Sequence, residues 1–217
     1  MLGADLIVNV IKQMESFGEI QLFTNDFVLS HINHAAKMHH LIIHPQDPST
    51  DFLKEIYKDI PDHRVIDKKI SSKRLTEAIN QAERIIFLGH GCSIGLLDFY
   101  SSKKIQFMIN HKQVPLIKDK NECLFIWCHA DEFVWYHKLS GFCTGMFISE
   151  LQEAVQYGFK DATQAEIDLS NKEFVKLVAN HLHLPTKELL TAVKLNYAQL
   201  AAQNTIAQFN LDRLYAF

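Results

Sequence analysis

Three short stretches of the 217-residue chain carry side chains able to do covalent chemistry, and each ends an apolar run. His44 closes His40-Leu41-Ile42-Ile43, Gly89-His90-Gly91 closes Arg84-Ile85-Ile86-Phe87-Leu88, and Cys128-His129 closes Cys123-Leu124-Phe125-Ile126-Trp127. A cysteine attacks as thiolate, and an ordinary thiol pKa of about 8.5 leaves little of that form at neutral pH. A nearby imidazole that takes the proton makes the sulfur a nucleophile and can then protonate a departing amine. His90 and Cys128 are therefore the expected catalytic pair. Glycines on both sides of His90 let main chain approach a substrate, and the amides of Gly91 and Cys128 are candidate donors to an oxyanion. His44 and Asp131 are expected to line the substrate pocket, with Asp131 and Glu132 suited to a basic residue.

Such a site needs buried parallel strands whose carboxyl ends share one edge of a sheet. From Met38 onward, short apolar runs alternate with helical periodicity. After the run ending at His44, Asp47-Pro48-Ser49-Thr50 predicts a turn and N-cap for a helix with Phe52, Leu53, Ile56 and Tyr57 on one face. Arg64-Val65-Ile66-Asp67 is a weaker strand, and Ser71-Ser72 opens a helix carrying Leu75, Ala78, Ile79 and Ala82 before the run ending at Leu88. Alternation of this kind predicts a mostly parallel sheet covered by helices on both faces. Beyond it the pattern predicts a hairpin or excursion over 95–110 and a polar connection around Val114-Pro115-Leu116. The strand ending at Cys128 and a helix over 131–138 follow, and then a strand or turn over 141–148 feeds a helix through Ala154. Two further helices carry Phe174, Leu177, Val178 and His181, then, past Pro185, Leu190, Val193, Tyr197, Leu200 and Ala201. The expected division is an N-terminal extension over 1–37, an α/β domain over 38–158 and a helical C-terminal region over 159–217 packed on it.

Composition narrows the function classes. Lys and Arg number 22 against 25 Asp and Glu, and no basic stripe accompanies that net charge of −3, so a nucleic-acid partner is not expected. A hydrophobic fraction of 47% with 22% charged residues suits a folded globular chain. No apolar run approaches a membrane span, and the start, with Asp5 and no cationic leader, reads poorly as a secretory signal, so the expectation is a cytosolic protein. Four cysteines are too sparse for a disulfide framework at this length and are expected as thiols.

The strand ending in His-Gly at Gly89-His90-Gly91, followed 38 residues after His90 by a strand ending at Cys128, resembles the caspase-like cysteine peptidases, which include caspases, metacaspases, clostripain, gingipains, separase and CHAT-type proteases. The resemblance covers roughly 38–158 and implies a three-layer α/β/α sandwich with a mostly parallel sheet, a His90–Cys128 dyad and oxyanion assistance from Gly91. It also implies a peptide or protein substrate. Caspases proper carry Gln-Ala-Cys before their nucleophile, where this chain has Ile126-Trp127-Cys128, so any membership is divergent and implies no Asp-specific pocket. The alternative expectation is a catalytically inactive caspase-like domain serving as a protein-interaction module.

Other chemistries fit less well. His90, Cys92, Cys128 and His129 are ligand types that zinc accepts, but no C-x-x-C pair or H-E-x-x-H helix fixes them, so no metal is expected. Gly89 to Gly95 follows a strand as a phosphate loop does, yet misses the G-x-G-x-x-G spacing, and no G-x-S-x-G elbow is present. No cofactor is expected.

Overall fold

The computed structural model describes residues 40–98 and 106–217, which fall in one compact unit, His39–Phe217. The expected extension over 1–37, and residues 99–105 of the expected excursion, lie outside the described residues.

Strand β1, His40–Ile43, is followed by a 3-10 helix, Pro48–Ile56, and by β2, Arg64–Ile66. Pro48 at the first helical position and the Asp47 carboxylate, which accepts from the Ser49 amide, start that helix as the Asp-Pro-Ser-Thr signal predicts. Helix α1, Ser72–Gln81, begins at the Ser71 cap and leads into β3, Arg84–Leu88. The predicted excursion is a small antiparallel sheet of β4, Gly91–Cys92, β5, Gly95–Asp98, and β6, Gln106–Ile109. A four-residue helix α2, Val114–Ile117, occupies the expected polar connection, and β7, Cys123–Ile126, follows. After it come α3, Ala130–His137, β8, Gly141–Thr144, and α4, Leu151–Gln156. The C-terminal region holds α5, Gln164–His181, α6, Thr186–Ala201, and α7, Thr205–Leu211. It ends in β9, Leu214–Ala216, a strand that no periodicity announced.

The main sheet has the order β2-β1-β3-β7-β8-β9. Every pair is parallel except β8 with β9, which is antiparallel. The chain is thus an α/β protein with a mostly parallel six-stranded sheet.

Strand residues alternate between two cores because successive side chains point to opposite sheet faces. On one face Leu41, Ile43, Ile85, Phe87, Phe125 and Trp127 pack against Leu75 and Ile79 of α1 and Phe133 and Val134 of α3. The Phe87 and Phe125 rings stack with centroids 5.0 Å apart. On the other face Ile42, Ile86, Leu88, Leu124 and Ile126 pack against Leu53 and Ile56 of the 3-10 helix, Phe174 and Val178 of α5, and Val193 and Tyr197 of α6. Each fully buried Leu, Ile or Phe contributes about 1.5–3 kcal/mol, so this double burial is what holds β3 and β7 side by side. Arg84 pins the same strand from its start: buried at 2% exposure, it donates through Nε to the Glu122 carbonyl at 2.7 Å and through Nη1 to the Leu182 carbonyl just past α5.

Candidate functional site

The ends of β3 and β7 are in register, Leu88 pairing with Ile126, so His90 and Cys128 each stand two residues beyond a paired strand end. Gly89 donates its N–H to the Ile126 carbonyl at 3.1 Å and adopts φ +134°, a region only glycine enters freely. Thr144 Oγ1 donates to the Trp127 carbonyl at 2.8 Å, tying the β7 turn to the end of β8. His129 follows Cys128 with φ 64°, a left-handed conformation that turns the chain sharply into α3.

His90 and Cys128 line one narrow cleft of about 20 Å³, together with Thr50, Phe52, Thr144, Phe147 and Ser149. That volume admits about one water molecule. Even-numbered residues of β7 face the core that contains α5, and Cys128 continues that parity, packing against the small apolar cluster of Met146, Ile148, Ala154 and Ile167.

The imidazole is held from the 3-10 helix. Ser49 Oγ lies 2.7 Å from His90 Nε2 and donates to Asp47 Oδ1 at 2.8 Å, and Asp47 Oδ2 lies 3.9 Å from the same ring nitrogen. With the hydroxyl hydrogen directed at the carboxylate, the Ser49 oxygen accepts from Nε2–H.

The thiol is held from the opposite wall. Cys128 Sγ donates toward the Phe147 carbonyl at 3.5 Å and lies 4.0 Å from Glu153 Oε1. Glu153 in turn accepts from the amides of Ser149 and Glu150 through Oε2, at 2.8 and 3.1 Å. Desolvation, reinforced by the Glu153 charge, pushes the Cys128 thiol up to about 12. The resting sulfur is therefore a thiol, so any attack requires a base acting in the same step. Cys123 and Cys143 are buried with thiols also raised by desolvation, the former to about 11, in keeping with packing roles.

The remaining expected site residues are placed apart from this cleft. His44 is 3% exposed, accepts from Tyr57 Oη at Nδ1 (3.1 Å) and donates from Nε2 to Thr50 Oγ1 (3.2 Å), whose own hydrogen goes to the Asp47 carbonyl at 3.1 Å. Burial, with a smaller contribution from Lys54, lowers its pKa to about 4. It supports the cleft from behind through Thr50. Asp131 is the second residue of α3, whose apolar side packs on the other sheet face, and its charge acts on Cys143 and Tyr215; desolvation raises its carboxyl pKa. Gly91 lies in β4, and a Cβ there would stand 2.1 Å from Trp127 Cδ1, so the missing side chain makes room for the indole. That indole donates to the Cys92 carbonyl at 3.1 Å.

Among the described residues, His129, Asp131 and Glu132 bring potential metal-ligand atoms within 4.8 Å of one another, with His129 Nδ1 and Glu132 Oε1 at 2.9 Å. This is a different group from the His90, Cys92, Cys128 and His129 set weighed from sequence; His129 and Asp131 are half-buried and Glu132 is exposed. No described helix is long and apolar enough to cross a membrane.

Asp47, Ser49 and Glu153 were not singled out as functional by sequence reasoning. The signals around them were capping signals: an Asp before Pro, and a Glu three residues after Glu150. Their contacts with His90 and Cys128 span 41 to 43 and 25 residues of chain. In comparisons with known proteins, no family model, curated protein or solved structure matches this chain.

Proposed function

We propose that the chain is a caspase-like thiol hydrolase acting on peptide bonds, with Cys128 as nucleophile and His90 as general base and acid. The observation that carries this reading is that two residues from adjacent parallel strands, a thiol and an imidazole, line the same cleft. In the reaction His90 takes the Sγ proton as sulfur bonds to the substrate carbonyl carbon, and the carbonyl electrons move to oxygen, where the Cys128 amide is the assigned donor. The oxyanion collapses, the C–N bond breaks, and His90 returns the proton to the leaving amine. Water then cleaves the thioester to release the acid and regenerate the thiol.

A second reading, an inactive domain that binds a protein partner, is favoured by the thiol pKa of about 12 and by the hydrogen bond that directs Sγ–H at Phe147. A peptidyl acyloxymethyl ketone separates the two. Modification confined to Cys128 and lost in both Cys128→Ala and His90→Ala is the result expected of the hydrolase. Indifferent labelling of several cysteines, or labelling unaffected by His90→Ala, overturns it.

A further inference from the structure

A second cleft of about 690 Å³ lies between the 3-10 helix and α5, and Phe52 and Ser149 line both it and the narrow cleft of His90 and Cys128. The two spaces adjoin at those shared walls. In the larger one sits Asn171, which is only 6% exposed. Its Nδ2 donates to the Ser149 carbonyl at 2.9 Å, and this fixes the orientation of the amide, since the flipped group would set two oxygens against each other. Asn171 Oδ1 is consequently an acceptor, and it is buried with no partner. A buried polar atom left unsatisfied costs about 1–3 kcal/mol, and folded proteins hold few of them. Asn171 lines the large cleft, so the partner its oxygen lacks is assigned to a donor from a ligand held there.

We propose that this cleft is a recognition subsite for a carboxamide side chain, Gln or Asn, of the bound peptide, with Asn171 Oδ1 accepting its N–H; the inference rests on the peptide-substrate reading for the identity of the occupant. An acceptor-only atom selects against a carboxylate, which has no hydrogen to give at neutral pH. The same walls carry Glu55, Glu150 and Asp168 but also Lys172 and Lys176, so a neutral group avoids a like charge from either set. Asp168 is itself tied by Gln164 Nε2 at 2.8 Å, and Ser149, whose carbonyl orients Asn171, is anchored by Glu153, the residue beside the Cys128 sulfur. Occupancy of the subsite is thereby joined to the wall of the nucleophile.

The test uses Cys128→Ala protein and hexapeptide sublibraries with Gln, Glu or Lys fixed at each position in turn, read by fluorescence anisotropy. At one position the Gln sublibrary binds about tenfold tighter than the Glu and Lys sublibraries, the free energy of one hydrogen bond, and Asn171→Leu levels the three. Because that substitution leaves the Ser149 carbonyl without a donor and can fail to fold, the side-chain amide resonance of Asn171 is also followed during titration of the unsubstituted position, and it shifts with the Gln peptides. Equal binding of Gln and Glu sublibraries, a preference for Lys, or an unmoved Asn171 resonance overturns the proposal. Hydrolysis by the native chain with no carboxamide preference sinks this subsite and leaves the peptidase standing. Carboxamide-dependent binding without hydrolysis does the reverse.

Discussion

Ser49 Oγ stands 2.7 Å from Nε2 of His90, 41 residues further along the chain, and the same hydroxyl donates to Asp47. A residue read from sequence only as part of a helix start thus sets which nitrogen of the candidate base carries the hydrogen. Removing the hydroxyl leaves Nε2 without this acceptor and lets the ring change tautomer. Ser49→Ala is expected to cost about 1 kcal/mol of stability, the loss of one hydrogen bond, and to slow labelling of Cys128 by a peptidyl probe by about tenfold or more, as the loss of an orienting group does. Nitrogen-15 shifts of the His90 ring report the tautomer directly. A ring that keeps its hydrogen on Nε2 in the variant would remove Ser49 from this role.

The Cys128 thiol, raised to about 12 by desolvation and by Glu153, predicts how the sulfur responds to an alkylating reagent. Iodoacetamide, which needs thiolate, alkylates Cys128 slowly at pH 7, and its rate climbs throughout the alkaline range. Glu153→Gln keeps an oxygen for the Ser149 and Glu150 amides while deleting the negative charge, so alkylation at fixed pH rises several-fold. Mass spectrometry of the Cys128 peptide measures both. Fast alkylation at neutral pH, insensitive to Glu153→Gln, would contradict the placement of the sulfur beside that carboxylate.

His44 gives the pH dependence of folding its sign. Its pKa is about 4 folded against 6.5 unfolded, so between those values the unfolded chain binds the extra proton and stability increases with pH. The contribution is complete above about pH 6.5 and is lost as pH falls through 4. The difference between 6.5 and about 4 corresponds to about 3 kcal/mol. Urea denaturation from pH 7 to pH 4 measures the slope, and His44→Gln, which offers an acceptor and a donor to Tyr57 and Thr50, is expected to flatten it. An unchanged slope in the variant would show that other groups carry the acid limb.

Much of the architecture was legible because periodicity is a local property. The double-sided apolar runs of β1, β3 and β7 announce strands buried on both faces, although β7 ends at Ile126, two residues before Cys128. The stripe of Val193, Tyr197 and Ala201 announced α6 in the same way. Leu214-Tyr215-Ala216 announced nothing: three residues are too few to show a period, and they become a strand because the open edge of β8 supplies hydrogen-bond partners. The four-residue helix Val114–Ile117 escaped notice for the same reason of length.

The residue types of the candidate site were determined by sequence alone: one thiol and one imidazole, each just past a buried strand, and a capping Asp-Pro-Ser-Thr turn. Only the tertiary structure decided their company. Parallel pairing of β3 with β7 brings His90 and Cys128 to one cleft, while the 3-10 helix delivers Ser49 to the imidazole and α4 delivers Glu153 to the sulfur. Those contacts join residues 25 to 41 positions apart, and nothing in local propensity encodes them, because they depend on which helix packs over which end of the sheet. The electrostatic state of the thiol belongs to the same level, since desolvation is a property of the packed surroundings rather than of the cysteine.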